Sequence, residues 1–501
     1  MSSNLNLNLN LNLNLNLNLN LNLNLNLCVC VDRNGGISKS GEIPWDIKED
    51  MGFFLDQINR PSKNKKLLVC GKNTYNKVKN IKDVSFLVIS TTLETNQPNI
   101  FILNNIDYLK NKLYNEFNNY DIFIIGGKNI YDYAFKNLSH INFALSKIDY
   151  DYKCDNILEN FNMYYEIYIE CLPSKSFIVK DNKNNIYTNI TFYSTLFKNN
   201  KQQNKSEQQY LDLLEEILIN GDRRKTRNGY TRSLFGKTLE FNLDKFPLLT
   251  TKKMFIKGIF EELMFFLKGN TDTTLLSKEG IKIWEGNTTR EFLDNMGFVD
   301  RQVGDMGPMY GFQLRHFNAK YTNCEEKYTN CGFDQLQYCI NLLKTDPNSR
   351  RIIMTTYNPE QAFDGVLFPC HGITIMFYCS IVNGNTYKLD LMMTQRSCDL
   401  FLGIPFNIAS YALFVYLICD HVNSSESQYK YIPGKLIMNL GDVHIYEEHT
   451  SQAIRQILRF PIEFPELDIN KKIMNLEDYK LENIIIDNYN HYPGIIAKMI
   501  A

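Results

Sequence analysis

The sequence predicts two successive domains of mixed helix and strand, the first of α/β type, and three observations predict them. Between residues 25 and 196, short apolar runs of strand length alternate with stretches of helical character. Residues 197–209 then form a polar segment without apolar periodicity, a linker by composition. Beyond it, residues 210–501 open with a fresh helical repeat and a long alternating run. A chain of 501 residues that is 44% hydrophobic can bury more than one core.

The elements follow in chain order. From Leu5 to Asn26, Leu and Asn alternate without a break, which has the period of a strand but specifies no single register. Residues 1–24 are therefore expected to be disordered. The end of the repeat differs, because Leu27, Val29 and Val31 alternate with Cys28 and Cys30 just before the turn Asn34-Gly35-Gly36, so 25–31 is read as a strand. Further strands are expected at 66–70, 86–90, 100–103, 121–125 and 141–148. In the second domain, Leu211, Leu213, Leu214, Ile217 and Leu218 have helical spacing, and 233–243 alternates as a strand.

Composition narrows the class of function. Lys and Arg number 54 against 55 Asp and Glu, a balance that requires neither nucleic acid nor a membrane as partner. Nothing in the run of residues approaches the ~20 apolar positions of a membrane span, and the N-terminus lacks a basic start with an apolar core. The expectation is a soluble, intracellular, cytoplasmic protein. Twelve cysteines lack a CxxC pair or metal-ligand spacing, so neither a disulfide framework nor a metal site is expected.

Chemistry concentrates in a few motifs. Phe368-Pro369-Cys370-His371 is followed by Gln395-Arg396-Ser397-Cys398-Asp399 and by Gly403-Ile404-Pro405-Phe406-Asn407. The three supply a thiol nucleophile, a cation to activate it and an amide able to read a base. In the first domain, two expected strands run into Gly71-Lys72-Asn73-Thr74 and Gly126-Gly127-Lys128. Free backbone N–H groups and a helix dipole at such turns favour phosphates. Ile43-Pro44-Trp45 and the carboxylate Asp50 lie upstream.

Over residues 25–196 this set resembles dihydrofolate reductase, which implies a mostly parallel central sheet and NADPH as cofactor. By the resemblance, Asp50 bonds the pterin and assists its protonation, burial tuning its pKa. Glu49 competes for that role. Cys28, Phe54 and Ser146 join Asp50 on the folate side. Cys30, Ile37, Gly71, Lys72 and Thr74 fall on the cofactor side, together with Ser90, Thr91, Gly126, Gly127 and Lys128. One position departs from the family: Val84 stands where an arginine clamps the folate carboxylate, a loss of about 2–4 kcal/mol in binding.

Residues 210–501 resemble thymidylate synthase through long motifs, including Phe246-Pro247-Leu248-Leu249-Thr250-Thr251-Lys252-Lys253, Gly307-Pro308-Met309-Tyr310-Gly311 and Gly441-Asp442-Val443-His444-Ile445-Tyr446. The resemblance implies an α+β fold and a homodimer formed through this domain. Its implied substrates are dUMP and 5,10-methylenetetrahydrofolate. Cys370 is then the nucleophile at C6 of uracil, with Glu262, Tyr310 and His371 as its catalytic surroundings, His371 in either a structural or a chemical role. Arg227 and Arg396 fall on the nucleotide phosphate, Ser397 on the phosphate or the base, and Arg350 and Arg351 reach the phosphate from the other subunit. His444 and Tyr446 meet the ribose, Asn407 reads the base, and Asp399 serves nucleotide and folate alike. Trp284, Asn287 and Gly403 complete the folate side.

The resemblance as a whole implies one chain that methylates dUMP, yielding dihydrofolate, and reduces that product with NADPH. Its alternative is an active synthase carrying a weak or inactive reductase domain as a structural module.

Overall fold

The computed structural model describes residues 23–199, 204–470 and 473–500. Most of the repeat and residues 200–203 of the polar segment lie outside the described residues. Two compact units divide the chain, residues 1–199 and 200–501.

The N-terminal unit is built on an eight-stranded sheet. From one edge its strands are Ile100–Leu103, Ser85–Ile89, Lys65–Gly71, Tyr120–Gly126, Asn24–Val31 and Ile141–Ile148, all parallel to their neighbours. Ile186–Ser194 and Ser174–Asp181 then add antiparallel. The expected strands thus appear within a residue or so of where periodicity put them. The closing hairpin was not foreseen; its turn is fastened by Asp181, whose Oδ1 accepts from the Lys183 amide at 3.0 Å.

How the last repeat units enter a defined strand is visible in their side chains. Leu25 and Leu27 are fully buried. Asn24 Nδ2 donates to Asp121 Oδ1 at 2.9 Å and Asn26 Nδ2 to the Ile122 carbonyl at 3.2 Å. A pattern that fixes no register by itself is held by one carboxylate on the neighbouring strand.

In the C-terminal unit, a six-stranded sheet runs in the order Asp222–Thr226, Gly229–Asn242, Lys430–Tyr446, Thr386–Asp399, Thr374–Asn383, Ile353–Met354. Alternate residues Ile375, Phe377, Leu389, Leu391 and Met393 are buried, and Phe377 packs edge-on to Phe414 of helix Gly403–Ser424. That helix is long and apolar enough to cross a membrane by length and composition alone, which the search of the sequence for apolar runs did not pick out. It is the mostly buried central helix of this unit.

The polar segment needs a second correction. Lys205–Asn220 is one helix, capped by Asn204, so 205–209 is structured. Glu207 within it is fully buried, and its carboxylate accepts from the amides and hydroxyls of Thr250 and Thr251 at 2.6 to 3.0 Å.

Candidate active sites

In the N-terminal unit, helix Lys48–Ile58 packs on strands Asn24–Val31 and Ile141–Ile148. The parallel register sets Cys30 opposite Ser146. Both side chains hydrogen-bond the Asp50 carboxylate, and Trp45 adds a third contact. Burial pushes the Asp50 carboxyl above the ordinary range, with the three hydrogen bonds pulling the other way and the like charge of Glu49 adding to the rise. One helical turn on, Phe54 is partly exposed while Phe53 is packed in the core against Phe192. Cys28 is buried, and its carbonyl accepts the Tyr131 hydroxyl at 2.7 Å. Ile37 packs at the margin of the same core.

The two glycine turns come together at the carboxyl ends of two central strands. Lys65–Gly71 and Tyr120–Gly126 are parallel neighbours with Cys70 opposite Gly126. A Cβ on Gly127 would lie 3.9 Å from Thr74 Oγ1, whereas one on Gly126, at φ +95°, would meet the Tyr131 ring at 2.5 Å. Only glycine fits there. Ser90 and Thr91 follow strand Ser85–Ile89, and Ser90 Oγ accepts the Leu93 amide at 3.1 Å. Lys72 Nζ donates to Thr92 Oγ1 at 2.9 Å. Lys128 does not present a free ammonium: Nζ is held by Asp132 at 2.9 Å and Glu159 at 3.1 Å. An anion at this turn therefore meets backbone N–H groups rather than that side chain. Val84 is buried, one residue before strand Ser85–Ile89, whose Ser85 stands opposite Leu67.

In the C-terminal unit a cavity of about 710 Å³ opens at Cys370. Arg227, Arg396, Ser397, His444, Tyr446 and Asn287 line it with the thiol. Arg396 Nη2 lies 3.7 Å from Cys370 Sγ, while its Nε and Nη2 donate to the carbonyls of Pro369 and Phe368. The Cys370 amide donates to the Tyr310 hydroxyl at 3.1 Å. Arg396, Tyr310 and Arg227 each lower the thiol pKa, while burial raises it by more, so the net shift is upward.

Tyr310 is held in an uncommon backbone conformation, φ +37°, where the chain turns into helix Gly311–His316. Gly311 permits this, since a Cβ there would strike the Phe266 carbonyl at 2.6 Å. The close approach brings Tyr310 beside helix Ile256–Leu267, which carries Glu262. Trp284 Nε1 donates to Glu262 Oε1 at 2.8 Å, and burial pushes the Glu262 carboxyl up to about 7. His371 stacks on Tyr310 with ring centres 4.4 Å apart and shares a hydrogen bond with the Tyr411 hydroxyl at 2.9 Å. Burial brings its pKa down to about 4, so the ring is neutral at physiological pH.

Several expected residues stand apart from the cavity wall. Asp399 Oδ1 accepts the amides of Phe401 and Leu402 at 3.0 and 2.9 Å, forming the turn into Gly403. Asn407 Nδ2 donates to Gln395 Oε1 at 3.0 Å, which orients its amide. Arg350 and Arg351 are exposed and do not line the cavity of their own chain. Among the described residues, no group of three or more His, Cys, Asp or Glu could hold a metal ion.

Models of the dihydrofolate reductase and thymidylate synthase families match residues 24–194 and 208–501. The bifunctional dihydrofolate reductase-thymidylate synthase of Paramecium tetraurelia is 38% identical over 475 residues, 93% of this chain and 96% of that protein. The chain belongs to the bifunctional dihydrofolate reductase–thymidylate synthase family. It therefore joins an oxidoreductase and a methyltransferase. Thymidylate synthases of Saccharomyces cerevisiae and Homo sapiens are 48% and 45% identical over 305 and 295 residues; the matches cover 59% and 58% of this chain and 98% and 90% of theirs.

Sequence reading missed three residues that arrange this second site. Gln395 fixes Asn407, Tyr411 holds His371, and His449 contacts the segment after residue 488. Gln395 lay inside a quoted motif and signalled itself only by position; the other two gave no signal at all.

Proposed function

We propose that the C-terminal unit methylates dUMP at C5 with 5,10-methylenetetrahydrofolate and that the N-terminal unit reduces the resulting dihydrofolate with NADPH. The observation that carries the first reaction is Cys370 at the cavity wall with the Arg396 guanidinium 3.7 Å from its sulfur. Uracil C5 is a poor nucleophile until a thiolate adds at C6, and Arg396 and Arg227 favour that thiolate against the opposing effect of burial. A nucleotide phosphate beside Arg227, Arg396 and Ser397 is the matching anion. With Gln395 taking one Asn407 N–H, the second N–H and Oδ1 remain to donate to uracil O4 and accept from N3–H, the reverse of what cytosine needs.

The folate fits the same cavity. Asn287 Nδ2 is buried, faces it and has no hydrogen-bond partner among the described residues. Glu262, titrating near 7, can hold or release a proton at uracil O4 or a folate nitrogen.

For the reductase, NADPH supplies a hydride. The adjacent turns at Gly71 and Gly126–Gly127, with Thr74, Ser90 and Thr91, form a cradle suited to its phosphates. Asp50, whose carboxyl burial pushes above the ordinary range, holds the pterin and assists protonation at N5. Its three hydrogen-bond partners argue for a working site rather than a retired fold.

A homodimer through the C-terminal unit accounts for two features. The sheet face opposite helix Gly403–Ser424 presents Met376, Tyr378 and Met392 with partial or full exposure. Arg350 and Arg351, exposed and away from their own cavity, are free to reach a partner's nucleotide.

The decisive experiment follows NADPH oxidation with dihydrofolate, and dTMP formation from dUMP, for the full chain and for Asp50→Asn and Cys370→Ser. Each variant should lose one reaction and keep the other. Loss of neither by its own variant would overturn the assignment.

A further inference from the structure

Three consecutive carbonyls face one arginine. The Arg396 amide donates to the Cys370 carbonyl at 2.7 Å, its Nε to the Pro369 carbonyl at 3.1 Å and its Nη2 to the Phe368 carbonyl at 3.2 Å. The guanidinium also lies over the Phe368 ring, its Cζ 5.0 Å from the ring centre. Arg396 is exposed at the cavity wall, where a long cationic side chain has many rotamers open to it. Here one edge is fixed by carbonyls and one side by an aromatic ring, and Nη1 takes part in none of these bonds.

The ring is itself held. Tyr357 packs against it with centres 5.6 Å apart, and Phe363 meets it edge-on at 5.4 Å. Phe363 is 79% exposed and lines the cavity together with Phe368, so an aromatic pair stands at the wall behind the cation.

The same residue reaches the nucleophile. The Cys370 thiol donates to the Phe368 carbonyl at 3.5 Å, the carbonyl that also accepts from Arg396 Nη2. Phe368 thus touches both members of the thiol–guanidinium pair. Besides Arg396, the charged and titratable groups that face Cys370 are Arg227, Tyr310, Tyr446 and Cys398.

We propose that Phe368 is a positioning residue whose ring holds the Arg396 guanidinium beside the Cys370 sulfur and leaves Nη1 for an anion in the cavity. A cation stacked on a ring keeps its charge while losing freedom, so its attraction for the thiolate and for the anion is pre-organised. That the anion is the nucleotide phosphate rests on the function proposed above; the stack and its effect on the thiol do not.

The test uses the full chain with two substitutions. Phe368→Leu keeps an apolar side chain and the backbone carbonyl but removes the ring, whereas Phe368→Tyr retains the ring. The rate of Cys370 alkylation by iodoacetamide is followed across pH by peptide mass spectrometry, alongside equilibrium binding of dUMP. In Phe368→Leu the midpoint of the alkylation profile should rise by about half a pH unit, because Arg396 no longer stays at the sulfur. The same variant should bind dUMP about threefold to fivefold more weakly, the scale of one exposed cation–π contact. Phe368→Tyr should match the parent in both, and both variants should unfold thermally within a few degrees of it. An unshifted profile in Phe368→Leu, or equal shifts in the two variants, would overturn the proposal. A shifted profile in a protein whose parent form binds no dUMP would overturn the nucleotide reading and leave the stack standing.

Discussion

Trp284 donates its indole N–H to Glu262 Oε1 at 2.8 Å, and among the described residues it is the one side-chain donor opposing the burial that lifts this carboxyl to about 7. A donor to the ionised form favours ionisation. Trp284→Phe keeps the ring and removes the donor, so Glu262 should hold its proton to higher pH. The limb of the synthase kcat/KM profile that reports Glu262 should move up by about half to one pH unit, the scale of one hydrogen bond. An unmoved limb would mean that another group is being titrated.

The same carboxyl sets a stability prediction. Its folded pKa lies above the ordinary 4.5, so its contribution is fully present below pH 4.5 and is lost as pH rises through about 7. Glu262→Gln still accepts from Trp284 but cannot ionise. Above pH 8 the variant should be more stable than the parent by up to about 3 kcal/mol, with the difference vanishing near pH 4.5. Denaturant unfolding at both pH values checks this, and dTMP formation should be lost. His371 acts in the opposite direction: its folded pKa is depressed, so its contribution holds above pH 6.5 and fades as pH falls through about 4.

Glu207 shows what was and was not legible in the sequence. Strands declared themselves through short apolar runs, and Cys370, Arg396 and Asp50 stood out through the motifs that contain them. Glu207 sits in a stretch whose polarity reads as linker, because its four donors come from Thr250 and Thr251, more than forty residues on. His449, Tyr411 and the Lys128–Glu159 ion pair were invisible for the same reason, since each depends on a partner brought close only by the fold. Motifs single out candidate groups; the contacts that orient those groups are set by packing.

From that burial comes a further prediction. Glu207→Ala leaves two amides and two hydroxyls without their acceptor in a closed site, and should destabilise the C-terminal unit by about 3–5 kcal/mol. Thermal unfolding should show the loss in the transition of this unit, with dihydrofolate reduction at low temperature unaffected. A change under about 1 kcal/mol would mean that water takes over the four donors.

In the reductase site, Cys30 and Ser146 face each other across paired strands and both bond Asp50, so the ionised carboxylate is favoured from two sides against burial. Trp45 adds a third hydrogen bond; Glu49 on the same helix opposes by like charge, and Tyr131, Asp32 and Cys154 stand around the Cys30–Asp50 pair. A thiol is a weaker donor than a hydroxyl. Cys30→Ala should therefore raise the apparent pKa of the NADPH oxidation profile by a few tenths of a unit, and Ser146→Ala by more, on the order of one unit. Cys30→Ser should shift it the other way, below the parent. Synthase activity measured on the same samples controls for folding. If Cys30→Ala and Cys30→Ser moved the profile in the same direction, the thiol would be acting through its volume rather than its hydrogen bond.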